Sequence, residues 1–135
     1  MMPDEPAFSA FKSRSGLRRI AGAVRYSLAG LRSAWKHEHA FRQEVALIVP
    51  ATIAALLLPV PALEKLLLVA TMVLVLVVEL LNSAIEAVVD RVSLERHPLS
   101  KNAKDFGSAA VMLAVLLSAA AWAVVLWGLW AGRAQ

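Results

Sequence analysis

Three long stretches of the chain are almost free of charged residues, and they predict three membrane-spanning helices. Residues 45–63 and 106–132 carry no charge, and residues 66–89 carry only Glu79 and Glu86. About 20 consecutive apolar residues are enough to cross the hydrocarbon core of a bilayer. We predict spans over about residues 41–58, 63–91 and 101–131.

A different pattern precedes the first span and predicts a helix over residues 16–37. Seven apolar residues recur there at helical spacing and form one narrow stripe, with four basic residues along one flank. Such a profile is typical of a helix that lies in the membrane interface, with basic side chains near anionic head groups. An amphipathic helix packed on its own protein is the alternative. Residues 1–15, which contain Pro3 and Pro6, predict a mobile tail.

Composition and charge agree with a small membrane protein. The chain has 135 residues, 59% of them hydrophobic, which is too apolar for an ordinary soluble domain of this length. We expect one domain, residues 16–135. With no cysteine, neither disulfides nor a thiolate site can form. No cleavable secretory signal is visible, because the first apolar run begins late and lacks a small-residue cleavage site.

The distribution of basic residues predicts the topology. Of fourteen Lys and Arg, eight lie in residues 1–42 and four in residues 91–104. Basic segments stay in the cytoplasm, so we place the N-terminus and the second loop inside and the C-terminus outside. The net charge of +4 is thereby assigned to the membrane surface, and no nucleic-acid partner is expected.

Four polar side chains form a single face at the inner end of the second span. Glu79, Asn82, Glu86 and Asp90 fall within about 80° of arc on a helix, and Glu79 lies about 24 Å along the axis from Leu63. Ionisable residues at membrane depth are usually functional. For Asp90 alone, a solvent-facing residue at the helix end is the favoured interpretation.

Acidic residues from the other spans are expected at the same level. Glu38 and Glu44 flank the start of the first span, and Lys104-Asp105 opens the third. Mg²⁺ is usually held by one or two carboxylates together with substrate phosphates. Metal ligands, a cation for the phosphates and a base for the acceptor hydroxyl are the parts of a phosphoryl-transfer site.

Two other classes of function compete with this interpretation. A small transporter or proton relay would also use intramembrane carboxylates, but a transport path needs polar groups on both sides of the midplane, and the outer halves of the spans are apolar. A purely structural subunit would leave the polar face without a purpose. In either case, self-association would keep that face away from lipid.

Motifs over residues 17–130 resemble those of the bacterial integral-membrane diacylglycerol kinases. The motifs are Tyr26-Ser27 with Gly30-Leu31-Arg32, Ala40-Phe-Arg-Gln-Glu44, Glu79-Leu-Leu-Asn-Ser-Ala-Ile-Glu86 with Val88-Val-Asp90, and Ala103-Lys-Asp-Phe-Gly-Ser-Ala-Ala-Val111. The resemblance implies an all-α membrane protein, with an N-terminal amphipathic surface helix and three transmembrane helices in a homotrimeric bundle. It also implies the bacterial inner membrane as its location.

The same resemblance implies an activity and a set of site residues. The activity is transfer of the γ-phosphate of MgATP to the sn-3 hydroxyl of diacylglycerol, giving phosphatidic acid. Glu79 would be the general base, and Glu38 and Glu86 would hold Mg²⁺ on ATP. Further nucleotide contacts are implied at Arg19, Tyr26, Asn82, Glu95, Arg96, His97, Lys104 and Asp105. Lipid contacts, besides Glu79, are implied at Ser27, Arg32, Trp35, Phe41, Arg42, Gln43, Glu44 and Ser108.

A sister family of the same fold, the undecaprenol kinases of Gram-positive bacteria, is the alternative within this resemblance. Its last motif usually reads Ala-Lys-Asp-Val-Ala-Ala-Gly. Here the segment from Lys104 reads Lys-Asp-Phe-Gly-Ser-Ala-Ala, and Ala-Phe-Arg-Gln-Glu precedes the first span. Both features favour diacylglycerol as the substrate.

Overall fold

A computed structural model describes residues 16–133, and this part of the chain is entirely helical apart from short connections. The helices are α1 Gly16–His37, α2 His39–Leu57, α3 Ala62–Val92 and α4 Pro98–Arg133. α2, α3 and α4 (as far as Gly132) are each long and apolar enough to cross a membrane. The predictions of an all-helical protein and of three long apolar helices are therefore confirmed. Residues 1–15, predicted to form a mobile tail, lie outside the described range.

Short connections set the order and direction of the helices. A single extended residue, Glu38, separates α1 from α2, with φ −100° and ψ 110°. Pro59 and Pro61 lie in the turn between α2 and α3, where the missing amide hydrogens stop a helix from continuing. The Lys65 ammonium group donates a hydrogen bond to the Leu56 carbonyl oxygen at 2.7 Å. This bond caps one of the carbonyls that the end of α2 leaves free.

The start of α4 differs from the prediction. The span was expected to begin near Lys101, but the helix begins at Pro98. Proline fits the first position of a helix because its missing amide hydrogen would have no partner there. The Leu99 amide donates to Nδ1 of His97 at 3.2 Å, so His97 caps this end.

The tightest packing lies where α2, α3 and α4 meet near the α2–α3 turn. Leu68 is completely buried there, in a cluster with Ala55, Ala121 and Val125. Further along, the Thr71 hydroxyl donates to the Leu68 carbonyl at 3.0 Å and approaches the Ser118 hydroxyl at 3.4 Å. Small side chains and hydroxyl pairs of this kind allow helices to approach closely in a membrane.

α1 packs far more lightly than the other helices. Ala34 is its only buried residue. The apolar stripe predicted from the sequence is exposed on the isolated chain, at Leu17, Ile20, Val24, Leu28, Leu31 and Trp35. Nothing in residues 16–133 covers this stripe, so it does not pack on the described part of the same chain.

Candidate functional site

The inner half of α3 carries the predicted polar face, and Glu79 is its most buried member. Only 5% of Glu79 is exposed, and it is the one charged residue within 16–133 that is buried. Asn82 and Glu86 are half-buried, and Asp90 is exposed. The Asn82 side-chain amide donates to Oε1 of Glu86 at 3.3 Å. The face therefore runs from a buried carboxylate to an exposed one.

Carboxylates from α2 and from the α1–α2 corner join this face. Glu79 interacts electrostatically with Glu86 and Glu38, and Glu44 interacts with Glu79. We call Glu38, Glu44, Glu79 and Glu86 the acidic cluster. The ion pairs found in residues 16–133 do not involve any of these four side chains. Gathered carboxylates without a cation repel one another, so this cluster is suited to bind a positively charged group.

Two acceptor oxygens at the cluster lack a hydrogen-bond partner among the described residues. They are Oε2 of Glu44 and Oδ1 of Asn82, and both are buried. A buried polar atom without a partner costs free energy, and such atoms in native structures usually have a specific reason. Oε2 of Glu44 is thus an acceptor that a bound hydroxyl group could satisfy.

Glu38 is positioned by the break between α1 and α2. The Arg42 guanidinium donates to the carbonyl oxygens of Trp35 at 2.9 Å and Lys36 at 3.2 Å. The Glu38 amide donates to the Ala34 carbonyl at 2.8 Å. These bonds satisfy the free carbonyls at the end of α1 and fix the angle at which α2 leaves. Arg42, implied as a lipid contact, therefore has a structural partner at this corner.

A groove of about 570 Å³ lies between α1 and α3 and opens onto the acidic cluster. Its polar lining comes from Ser27, Ser33, Glu38 and Ser83, and its apolar lining includes Leu31, Leu80 and Ala84. Ser33 and Ser83 were not predicted as site residues. Their signal in the sequence was weak, since Ser33 is one small polar residue of α1 and Ser83 is a small side chain beside the polar face of α3. A groove that is part polar and part apolar suits an amphiphilic ligand.

A second cavity, of about 870 Å³, lies at the connection between α3 and α4. Four residues predicted to contact the nucleotide line it: Glu95, Arg96, His97 and Lys104. The Lys104 ammonium group forms an ion pair with Asp90 at 2.7 Å and interacts electrostatically with Glu86. Lys104 therefore lies between the acidic cluster and the second cavity.

Most of the remaining predicted residues lie at exposed positions on the isolated chain. Asp105 is exposed and pairs with Lys101 one turn away. Exposed positions also hold Arg19, Tyr26, Arg32, Trp35, Gln43 and Ser108, whereas Phe41 is buried. Residues 16–133 contain no set of three His, Cys, Asp or Glu side chains arranged to hold a metal ion. The site residues stay a prediction on this chain.

Comparison with known proteins decides the family. The sequence profile of prokaryotic diacylglycerol kinase matches residues 25–126. The chain belongs to the prokaryotic diacylglycerol kinase family. The matched segment contains every predicted site residue except Arg19.

Several relatives in this family cover most of the chain. The diacylglycerol kinase of Pseudomonas aeruginosa is 56% identical over 120 residues, which are 89% of this chain and 98% of the relative. The diacylglycerol kinase of Escherichia coli K12 is 49% identical over 113 residues, 84% of this chain and 93% of the relative. That of Haemophilus influenzae is 42% identical over 115 residues, 83% and 95% of the two chains.

Proposed function

We propose that this protein is a lipid kinase that uses ATP to phosphorylate diacylglycerol, giving phosphatidic acid. Membership of the prokaryotic diacylglycerol kinase family supports the activity, as do relatives of that name that align along nearly their whole length. The observation that carries the proposal is the buried Glu79 within an acidic cluster beside an amphiphilic groove. A carboxylate at that depth can meet the hydroxyl of a membrane lipid.

In the reaction we propose, Glu79 accepts the proton of the sn-3 hydroxyl. The hydroxyl oxygen forms a bond to the γ-phosphorus of ATP, the bond between that phosphorus and the β–γ bridging oxygen breaks, and ADP leaves. Glu79 suits the role of base because its carboxylate is buried and makes no ion pair in residues 16–133. General-base catalysis requires a proton acceptor within hydrogen-bonding reach of the hydroxyl.

We assign Mg²⁺ to Glu38 and Glu86. Both interact electrostatically with Glu79, and both are half-buried and hence reachable. Mg²⁺ is usually bound by one or two carboxylates plus the substrate phosphates and water, so a preformed set of three protein ligands is not required. The ion would supply positive charge to the phosphate oxygens. The Asn82 amide orients the Glu86 carboxylate through their hydrogen bond.

Nucleotide binding is proposed at the cavity between α3 and α4. Arg96 and Lys104 supply positive charge there, and Lys104 is within electrostatic range of Glu86. A phosphate group that binds Lys104 would either displace Asp90 from its ion pair with Lys104 or bind Lys104 together with Asp90. This arrangement would direct the phosphates from the cavity toward the acidic cluster.

We propose that the protein acts as a homotrimer. The Asn82 and Glu86 side chains remain half-exposed at membrane depth on the isolated chain, and exposure of an ionisable group to lipid is costly. Predicted contacts such as Tyr26, Asp105 and Ser108 are exposed on the isolated chain. A second protomer packed against α3 would cover the polar face and could contribute such residues.

The proposed location is the bacterial inner membrane, with α1 along its cytoplasmic surface. The exposed apolar stripe of α1 and the basic residues beside it fit the boundary between lipid and water. The basic residues of the α3–α4 connection lie on the same side as α1. ATP in the cytoplasm would then reach the second cavity directly.

The substrate is tested with purified protein in mixed micelles that contain MgATP and one lipid alcohol at a time. We expect phosphorylated product with 1,2-diacyl-sn-glycerol, and little with its 2,3-diacyl enantiomer or with undecaprenol. Product is measured by transfer of labelled phosphate. Product with undecaprenol alone would assign the protein to the sister activity, and no product with any alcohol would contradict the kinase proposal.

The metal assignment is tested by Glu38→Gln and Glu86→Gln, which keep the shape of each side chain but remove its charge. Each variant should need at least about tenfold more Mg²⁺ for half-maximal activity, a change typical of perturbed metal sites. The measurement is initial rate against Mg²⁺ concentration. Glu64→Gln, in the first turn of α3 and far from the cluster, is the matched control. An unchanged Mg²⁺ requirement in either variant would show that its residue is not a ligand.

Topology is tested with single cysteines, which can be placed freely because the chain has none. Leu63 and Leu94 are a matched pair, 76% and 86% exposed, at opposite ends of α3. In intact cells, Leu63→Cys should react with a membrane-impermeant thiol reagent. Leu94→Cys should react only after the membrane is opened. The reverse pattern would contradict the proposed orientation and the access of cytosolic ATP.

A further inference from the structure

At the site, α4 comes close to α3 at Gly107. A Cβ atom placed on Gly107 would lie 2.0 Å from Oδ1 and 3.1 Å from Cγ of Asn82. No side chain can be accommodated at that distance without moving the amide. The other glycines of residues 16–133 lack such a neighbour, since a Cβ there would meet either nothing within 4 Å or, at Gly22, only the Tyr26 ring at 3.9 Å.

The hydrogen bond to Glu86 and the close approach to Gly107 together fix the orientation of the Asn82 side-chain amide. Its nitrogen donates to Glu86 at 3.3 Å. Its oxygen is directed at Gly107 and is buried, with no hydrogen-bond partner among the described residues. Turning the amide over would place its oxygen against the Glu86 carboxylate, and two acceptors would then repel each other. The side-chain amide can therefore take this orientation only while position 107 has no side chain.

General helix packing does not explain a glycine at this position. Elsewhere α4 meets its neighbours through residues that carry side chains, among them Ala114 and Ala121, which are both buried with their methyl groups in place. In the interior of a helix glycine is less favourable than alanine. At position 107, in contrast, even a methyl group would overlap the Asn82 amide.

We propose that Gly107 is a positioning residue for the phosphoryl-transfer site. Its missing side chain leaves the space in which Asn82 turns its nitrogen toward Glu86, and Asn82 in turn holds the Glu86 carboxylate in place. Gly107 touches neither substrate nor metal in this arrangement and acts only through Asn82. The consequence for catalysis rests on the proposed function, whereas the geometric relation between Gly107 and Asn82 does not.

A direct readout of the amide comes from selective labelling. The chain has two asparagines, Asn82 and Asn102, so protein labelled with ¹⁵N-asparagine in micelles gives two side-chain amide groups. The Asn82→Ala variant identifies which signals belong to Asn82. Gly107→Ala should shift these signals, and Gly128→Ala, where a Cβ has open space, should leave them in place. Unshifted Asn82 signals in Gly107→Ala would overturn the proposal, whether or not the protein proves to be a kinase.

A double-mutant cycle then tests the path through Asn82. Gly107→Ala should lower diacylglycerol phosphorylation about five- to tenfold, the factor that corresponds to one ordinary hydrogen bond. In the Asn82→Ala background the same substitution should cost nothing further, because a Cβ at position 107 lies at an ordinary 3.7 Å from Cβ of residue 82. Gly128→Ala should keep full activity. The proposal is wrong if Gly107→Ala costs the same factor in both backgrounds, or if it shifts the amide without changing activity.

Discussion

The cost of holding carboxylates at the edge of the hydrocarbon layer is the constraint on which the rest of the molecule depends. An ionised group in a low-dielectric environment is stable only if it is paired or hydrogen-bonded. Glu79 is 5% exposed, and the side chains that interact with it electrostatically are other carboxylates. Such an arrangement costs free energy in the protein without ligand. A substrate that binds together with metal cations would reduce the repulsion among the carboxylates. The acidic cluster, which is costly in the isolated chain, is therefore where we propose that MgATP binds.

Two local features of the fold hold residues of the acidic cluster in position. A cap by Arg42 sets the corner at Glu38, and the close approach at Gly107 sets the Asn82 amide that holds Glu86. Each of these features fixes one proposed metal ligand, the first Glu38 and the second Glu86. Phosphoryl transfer depends mainly on positioning and electrostatic stabilisation. Small shifts at the Arg42 cap or at Gly107 should therefore change activity more than the stability of the fold.

The helices and the polar face could be predicted from the sequence, because both follow from short-range patterns. Long runs without charge define α2, α3 and α4, and the spacing of Glu79, Asn82 and Glu86 places them on one face. The break at Glu38 falls between the helix predicted over residues 16–37 and the span predicted from about residue 41, but the cap by Arg42 that forms the corner could not be predicted, because it depends on the angle between the two helices. The pairing of Asp90 with Lys104 bridges two helices and depends on how these helices pack. Gly107 appeared in the sequence only as one small residue among several in α4.

The central claim is that Glu79 takes the proton of the lipid hydroxyl, and Glu79→Gln tests it most directly. Glutamine has nearly the same shape but cannot act as the base, so the variant should assemble and bind ATP while its turnover of diacylglycerol falls by on the order of 10²-fold. Glu64→Gln, at the opposite end of the same helix, should retain full turnover. If Glu79→Gln phosphorylates diacylglycerol at close to the wild-type rate with saturating MgATP, Glu79 is not the base.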